Sequence, residues 1–206
     1  YQVTKNWTLS EGAGEKTVYV KFIDGAGNES QVFSDTIFWS LGPTYVPGGT
    51  ISQNTTWERI KSPYIIQGSI TIAGTSTTPA VLTIEPGTEI QFPNGTQLII
   101  GSGTNLGALI AQGTPALPIL FTRVSGNWYG IYFSDTTVDQ TSILEHAIVE
   151  GGGYSGSANV TMSSSSPTIR NSTLRNSLNY GLRLLNNAAP LVEMNTIQNN
   201  TQAAAF

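Results

Sequence analysis

Cysteine is absent from all 206 residues. No disulfide can staple the fold, and no thiolate can hold a metal. The absence leaves the compartment open, because many surface proteins also lack cysteine. Charge is scarce too. Asp, Glu, Lys and Arg make up 11% of the chain, against about 25% in an average soluble domain. The nine basic residues are scattered and the net charge is −4, so the basic stripe that nucleic acid demands is missing. There is one histidine, His146, which excludes any chemistry built on paired imidazoles. No run of 18 apolar residues occurs, so no helical membrane span is expected. The sequence opens on Tyr1 without Met or a signal-like segment, which reads as a piece of a longer polypeptide.

What is abundant is Ser, Thr, Asn, Gln and Gly, residues that suit turns and strand surfaces better than helices. Hydrophobic residues reach 39% and are regularly spaced, so disorder is excluded. Seven Asn-X-Ser/Thr sequons occur, Asn159 and Asn171 among them. A chain so rich in Asn, Ser and Thr produces them by composition alone.

The spacing shows an internal repeat. "SPTIRNSTLRNS" (166–177) returns as "APLVEMNTIQNN" (189–200), and an earlier copy reads "SILEHAIVEG" (142–151). Superposing the copies puts Leu144, Ile169 and Val192 in one column and Val149, Leu174 and Ile197 in another. No window sustains a 3.6-residue period. Short apolar runs between Gly, Pro and Asn breakers fill residues 50–206 instead. A helix-free repeat of 22 to 25 residues fits one turn of a parallel β-solenoid, with equivalent residues stacked about 4.8 Å apart and the apolar columns inside. Asn176 and Asn199 fall at the bends, where Asn tolerates unusual backbone angles and its amide satisfies freed backbone groups. Carried forward, this spacing sets Ala203, Ala204 and Ala205 on Tyr180, Gly181 and Leu182, and Phe206 on Arg183.

Residues 1–39 differ. "KTVYVKFID" and "SQVFSDTIFW" read as two strands around a "GAGN" turn. Residues 40–49, with two Pro and several Gly nearby, read as a linker. The segment "NWTLSEGAGEKTVYVKFIDGAGNES" resembles the last strands of bacterial immunoglobulin-like repeats. "PTIRNSTLRNSLNYGLRL", together with "TTWERIKSPYIIQGSITI" and "GALIAQGTPALPILFT", resembles the right-handed parallel β-helix family with the pectin-lyase-like architecture, in its non-catalytic surface members. The expected fold is therefore all-β. A right-handed parallel β-helix over 50–206 follows a partial immunoglobulin-like β-sandwich segment over 1–39.

The resemblance is specific for fold and says little of function, because lyases, hydrolases, adhesins and structural proteins share this architecture. Hydrolysis needs two carboxylates flanking a bond, and elimination needs a base with clustered acids for Ca²⁺. No acidic cluster is found, and no catalytic set is assigned. Asp135 and Asp139 flank a loop. His146 fits a turn slot. Glu145, Arg170 and Glu193 share one outward position, and Glu150, Arg175 and Gln198 another. Both columns read as surface charge ladders that fix register. Trp128, Tyr129, Tyr132 and Tyr180 offer rings for stacking on glycans. Asp24, Asn28 and Asp35 lie near a turn and are the candidate Ca²⁺ ligands; no other cofactor is implied. The expected function is a non-enzymatic structural or adhesive module of an extracellular cell-surface protein, partnered by copies of itself or by neighbouring domains. A carbohydrate-active enzyme or glycan-binding domain is the rival.

Overall fold

A computed structural model describes residues 4–205. The chain divides into two compact units, 1–41 and 42–206.

In the first unit, β1 (Gly14–Val20) and β2 (Phe33–Trp39) pair antiparallel, with Val20 opposite Phe33, Lys16 opposite Ile37 and Gly14 opposite Trp39. The period-2 alternation gathers Val20, Phe33, Ile37 and Trp39 on one face, and all four are exposed. Two strands cannot bury such a face.

The second unit is built from strands that step through three parallel sheets. The chain lays down β3 (Thr44–Val46), β4 (Gly49–Ile51) and β5 (Thr55–Trp57), then β6 (Tyr64–Ile66), β7 (Ile70–Ile72) and β8 (Ala80–Ile84). Next come β9 (Glu89–Phe92), β10 (Gln97–Ile100) and β11 (Gly107–Gln112), then β12 (Ile119–Arg123), β13 (Gly130–Phe133) and β14 (Ile143–Glu145). β15 (Ala147–Glu150), β16 (Ala158–Ser163) and β17 (Thr168–Arg170) follow, then β18 (Thr173–Arg175), β19 (Tyr180–Leu185) and β20 (Leu191–Glu193). β21 (Thr196–Gln198) and β22 (Gln202–Ala205) begin one more circuit. Every third strand pairs. The first sheet runs β3 to β21, the second β4 to β22 and the third β5 to β20. Strand pairing thus enters the stretch read as a linker, because Thr44–Val46 already pairs with Tyr64–Ile66.

The apolar columns stack as the repeat implies. Leu144, Ile169 and Val192 are in register, and so are Val149, Leu174 and Ile197. Leu144, Val149, Ile169 and Leu174 are fully buried in one continuous core. Two aromatic stacks thicken that core. Trp57 lies on Tyr64 at 5.0 Å between ring centres, and Phe92 lies on Trp128 at 4.1 Å. Val192, in the last full circuit, is 38% exposed, since only one neighbouring circuit covers it.

The bends divide the work of asparagine between two positions. Asn171, Asn176 and Asn199 take left-handed φ values of 51°, 56° and 55°, which Asn accepts more readily than most side chains. His146 and Met194 occupy the same bend column as Asn171, with φ of 45° and 54°. The backbone-satisfying role expected of Asn176 and Asn199 belongs instead to Asn195 and Asn200. The Asn200 amide donates to the Leu174 carbonyl and accepts from the Ser177 N–H, both at 2.9 Å. Asn195 does the same for Ile169 and Ser172 at 2.8 and 2.9 Å. Each amide ties its circuit to the one before.

One register expectation is corrected. Tyr180 pairs with Gln202, Leu182 with Ala204 and Arg183 with Ala205, one residue earlier than the repeat spacing puts them. Four residues separate Gln198 from Gln202, where five separate Arg175 from Tyr180. The shorter bend preserves the inward parity that a one-residue slip would reverse. The placement of Phe206 lies outside the described residues.

Candidate functional site

A cluster of paired charged side chains in the second unit sits around the bend that joins the third sheet to the first at His146. Strand alternation sends Leu144 and Val149 inward, so Glu145 and Glu150 must face out. Register places Arg170 beside Glu145 and Arg175 beside Glu150, one circuit on. Arg170 Nη2 donates to Glu145 Oε2 at 3.1 Å, and its Nε lies 2.8 Å from Oε1. Gln112, one circuit back, donates to the same carboxylate at 3.1 Å. Arg175 Nε donates to Glu150 at 2.7 Å, and the Thr122 hydroxyl donates to its other oxygen at 2.9 Å. Both carboxylates are fully engaged by neighbours above and below. They clamp adjacent circuits.

The hydrogen bond from Arg170, and then that from Gln112, hold the Glu145 carboxyl below the usual carboxylate range. The stabilisation from this pair is therefore present above that range and is lost as pH falls through the folded-state value. In Arg170→Ala the Glu145 carboxyl should titrate higher, closer to the ordinary glutamate range. The denaturation midpoint at neutral pH should shift little, because the guanidinium is solvated. Carboxyl-detected NMR titration reads the first effect; an unchanged Glu145 titration would show that Arg170 does not hold it.

The four candidate sugar-stacking residues separate. Trp128 is withdrawn from that role. It is fully buried, its ring is stacked within 8° of parallel on Phe92, and its Nε1–H donates to the Glu150 carbonyl at 2.9 Å. It has no ring face to offer. The other three are half-buried on the outside. Tyr129 meets Tyr154 edge-on at 5.0 Å. Tyr132 shares a column of the second sheet with Thr161 and Arg183. The Arg183 guanidinium lies 5.7 Å from the centre of the Tyr180 ring, a cation–π distance. Tyr129 and Tyr180 stand two circuits apart, roughly 10 Å.

The candidate Ca²⁺ ligands do not converge. Asp24 closes its own turn. It accepts the N–H groups of Ala26 and Asn28 and the Asn28 side-chain amide, each at 2.9 Å. These bonds, the Asn28 amide first, hold its carboxyl below the usual range. Asp35 lies down the hairpin opposite Val18 and accepts the Thr36 N–H. Asp139 likewise accepts the Ser166 N–H at 2.8 Å. Among the described residues no group of three or more His, Asp or Glu side chains is arranged to hold a metal ion, and no helix is long and apolar enough to cross a membrane.

Sequence reasoning missed Arg183, because its Gly and Leu neighbours gave no chemical signal. Comparison with known family models, curated proteins and solved structures finds no match.

Proposed function

We propose that the second unit is a right-handed parallel β-helix that serves as a rigid, non-enzymatic rod in an extracellular surface protein. On this reading the first unit is the C-terminal hairpin of an immunoglobulin-like domain. The observation that carries the proposal is the use of the outward charges. Glu145, Arg170, Glu150 and Arg175 pair from circuit to circuit, so they stiffen the stack. Core columns that remain buried from circuit to circuit support it further, since a stack with one continuous core resists bending.

The test is an assay of the chain against pectins, alginate and other polysaccharides, with and without Ca²⁺. The rod reading expects no turnover. Turnover that disappears in Arg170→Ala or Asp135→Ala overturns it in favour of a carbohydrate-active enzyme. Glycan binding without cleavage is the second reading. It draws on the half-buried Tyr132 and Tyr180 with Arg183 beside them.

A further inference from the structure

We infer that Asn54 is an acceptor for an N-linked glycan that seats in the groove beside it. Composition accounts for the number of sequons, and the fold decides which of them a folded chain can use. The site rests on the extracellular placement proposed for the rod, because the transfer needs a donor met outside the cytoplasm, an oligosaccharide carried on a lipid pyrophosphate. In that step Asn54 Nδ2 displaces the lipid pyrophosphate from C1 of the first sugar. One C–N bond forms, one C–O bond breaks, and Nδ2 gives up one of its two protons.

Transfer takes place on the extended chain, so every sequon is offered to the enzyme and folding selects among the products. Asn159 cannot keep a glycan. It is 0% exposed, its Nδ2 donates to the Arg175 carbonyl and its Oδ1 accepts the Gly152 N–H, both at 2.9 Å. A sugar there would force the stack apart. Asn28 spends its Nδ2 on Asp24. Asn94 is packed against the next bend, where its Oδ1 accepts the Asn127 N–H at 3.1 Å and a Cβ on Gly126 would lie 2.5 Å from that oxygen. Asn171 is half-buried in its bend.

Asn54 is free of these constraints. It is exposed on the bend between β4 and β5. Its Oδ1 accepts the Val81 N–H at 3.0 Å, which fixes the amide plane and turns Nδ2 away from Val81. That bond survives the transfer, since only Nδ2 is modified. Beside it Ser52, Gln53, Thr75, Thr78 and Pro79 line a groove of about 520 Å³. None of them is charged, and hydroxyls next to the apolar face of one proline ring suit a neutral sugar. The Thr75 hydroxyl accepts the Thr78 N–H at 2.9 Å, so this wall of the groove is formed in advance. Asn6 and Asn199 are exposed as well, but among the described residues no hydrogen bond orients either side chain.

The test is secretion of the chain from cultured animal cells behind a cleavable signal peptide. An amidase that converts each glycosylated Asn to Asp, used in heavy-oxygen water, marks the occupied positions for peptide mass spectrometry. Asn54 should carry the mark in most molecules and Asn159 in none. Thr56, the hydroxyl residue of this sequon, is exposed, so Thr56→Ala should abolish the mark at Asn54 and leave secretion unchanged. Hydrogen exchange across Thr75–Thr78 should be slower with the glycan than after its removal. Secreted protein with Asn54 unmarked overturns the inference, as does a mark at Asn159 in protein that keeps the wild-type urea midpoint. Exchange at Thr75–Thr78 that is indifferent to the glycan removes the seat in the groove. Retention of the chain inside the cells tells against the extracellular placement itself, and the acceptor site falls with it.

Discussion

Gly130→Ala is expected to cost about 3–5 kcal/mol of stability, near the top of the range for single substitutions. Gly130 opens β13 at φ +105°, in a region that L side chains rarely adopt, and forcing another residue there costs about 1–3 kcal/mol by itself. Space adds to the strain. A Cβ at this position would lie 2.0 Å from the Ala158 carbonyl oxygen and 2.6 Å from that of Asn159. Both belong to β16, the next strand of the same sheet. Relief would require β13 and β16 to separate, which breaks the ladder around Ile131 and Val160. Those two side chains are buried in the core, so the damage spreads inward. Urea denaturation of the purified variant reads the effect. A midpoint matching wild type would mean that β13 and β16 approach less closely than described.

The second half of the fold was the most legible part of the sequence. Leu144, Ile169 and Val192 recur at spacings of 25 and 23 residues, short enough to see by superposition. Earlier circuits hid the same column. Ala111 and Leu144 stack although 33 residues separate them, because the 113–118 bend and the 134–142 loop both lengthen that circuit. Loop insertions leave the stacking intact while erasing the period.

Site residues were legible where they followed the columns and illegible where they depended on loops. Glu145–Arg170 and Glu150–Arg175 emerge from register alone. Asp24 and Asn28 share a turn, yet Asp35 is near them in sequence only, because β2 carries it back down the hairpin. Asn195 and Asn200 sit one residue after the bend positions at Met194 and Asn199. Nothing in the local composition separates an amide that turns the backbone from one that reaches back to the previous circuit.

Trp128 shows what loop composition leaves open. In "VSGNWYG" the tryptophan fits a ring offered to a ligand and a ring packed under a loop equally well, and the structure buries the indole. Trp128→Ala should therefore cost about 3–5 kcal/mol. It deletes the largest fully buried side chain, removes the stacking partner of Phe92 and leaves the Glu150 carbonyl without its donor. Trp128→Phe separates these contributions. A phenyl ring keeps much of the contact with Phe92 but cannot donate, so about 1–3 kcal/mol should be lost to the unsatisfied carbonyl on top of a smaller packing loss. Thermal and chemical unfolding of the two variants give the comparison. A glycan-stacking tryptophan on the surface would behave in the opposite way, with Trp128→Ala folding as stably as wild type and losing only ligand binding. Near-wild-type stability in Trp128→Ala would return Trp128 to the candidate binding face and remove the stack with Phe92 from the core.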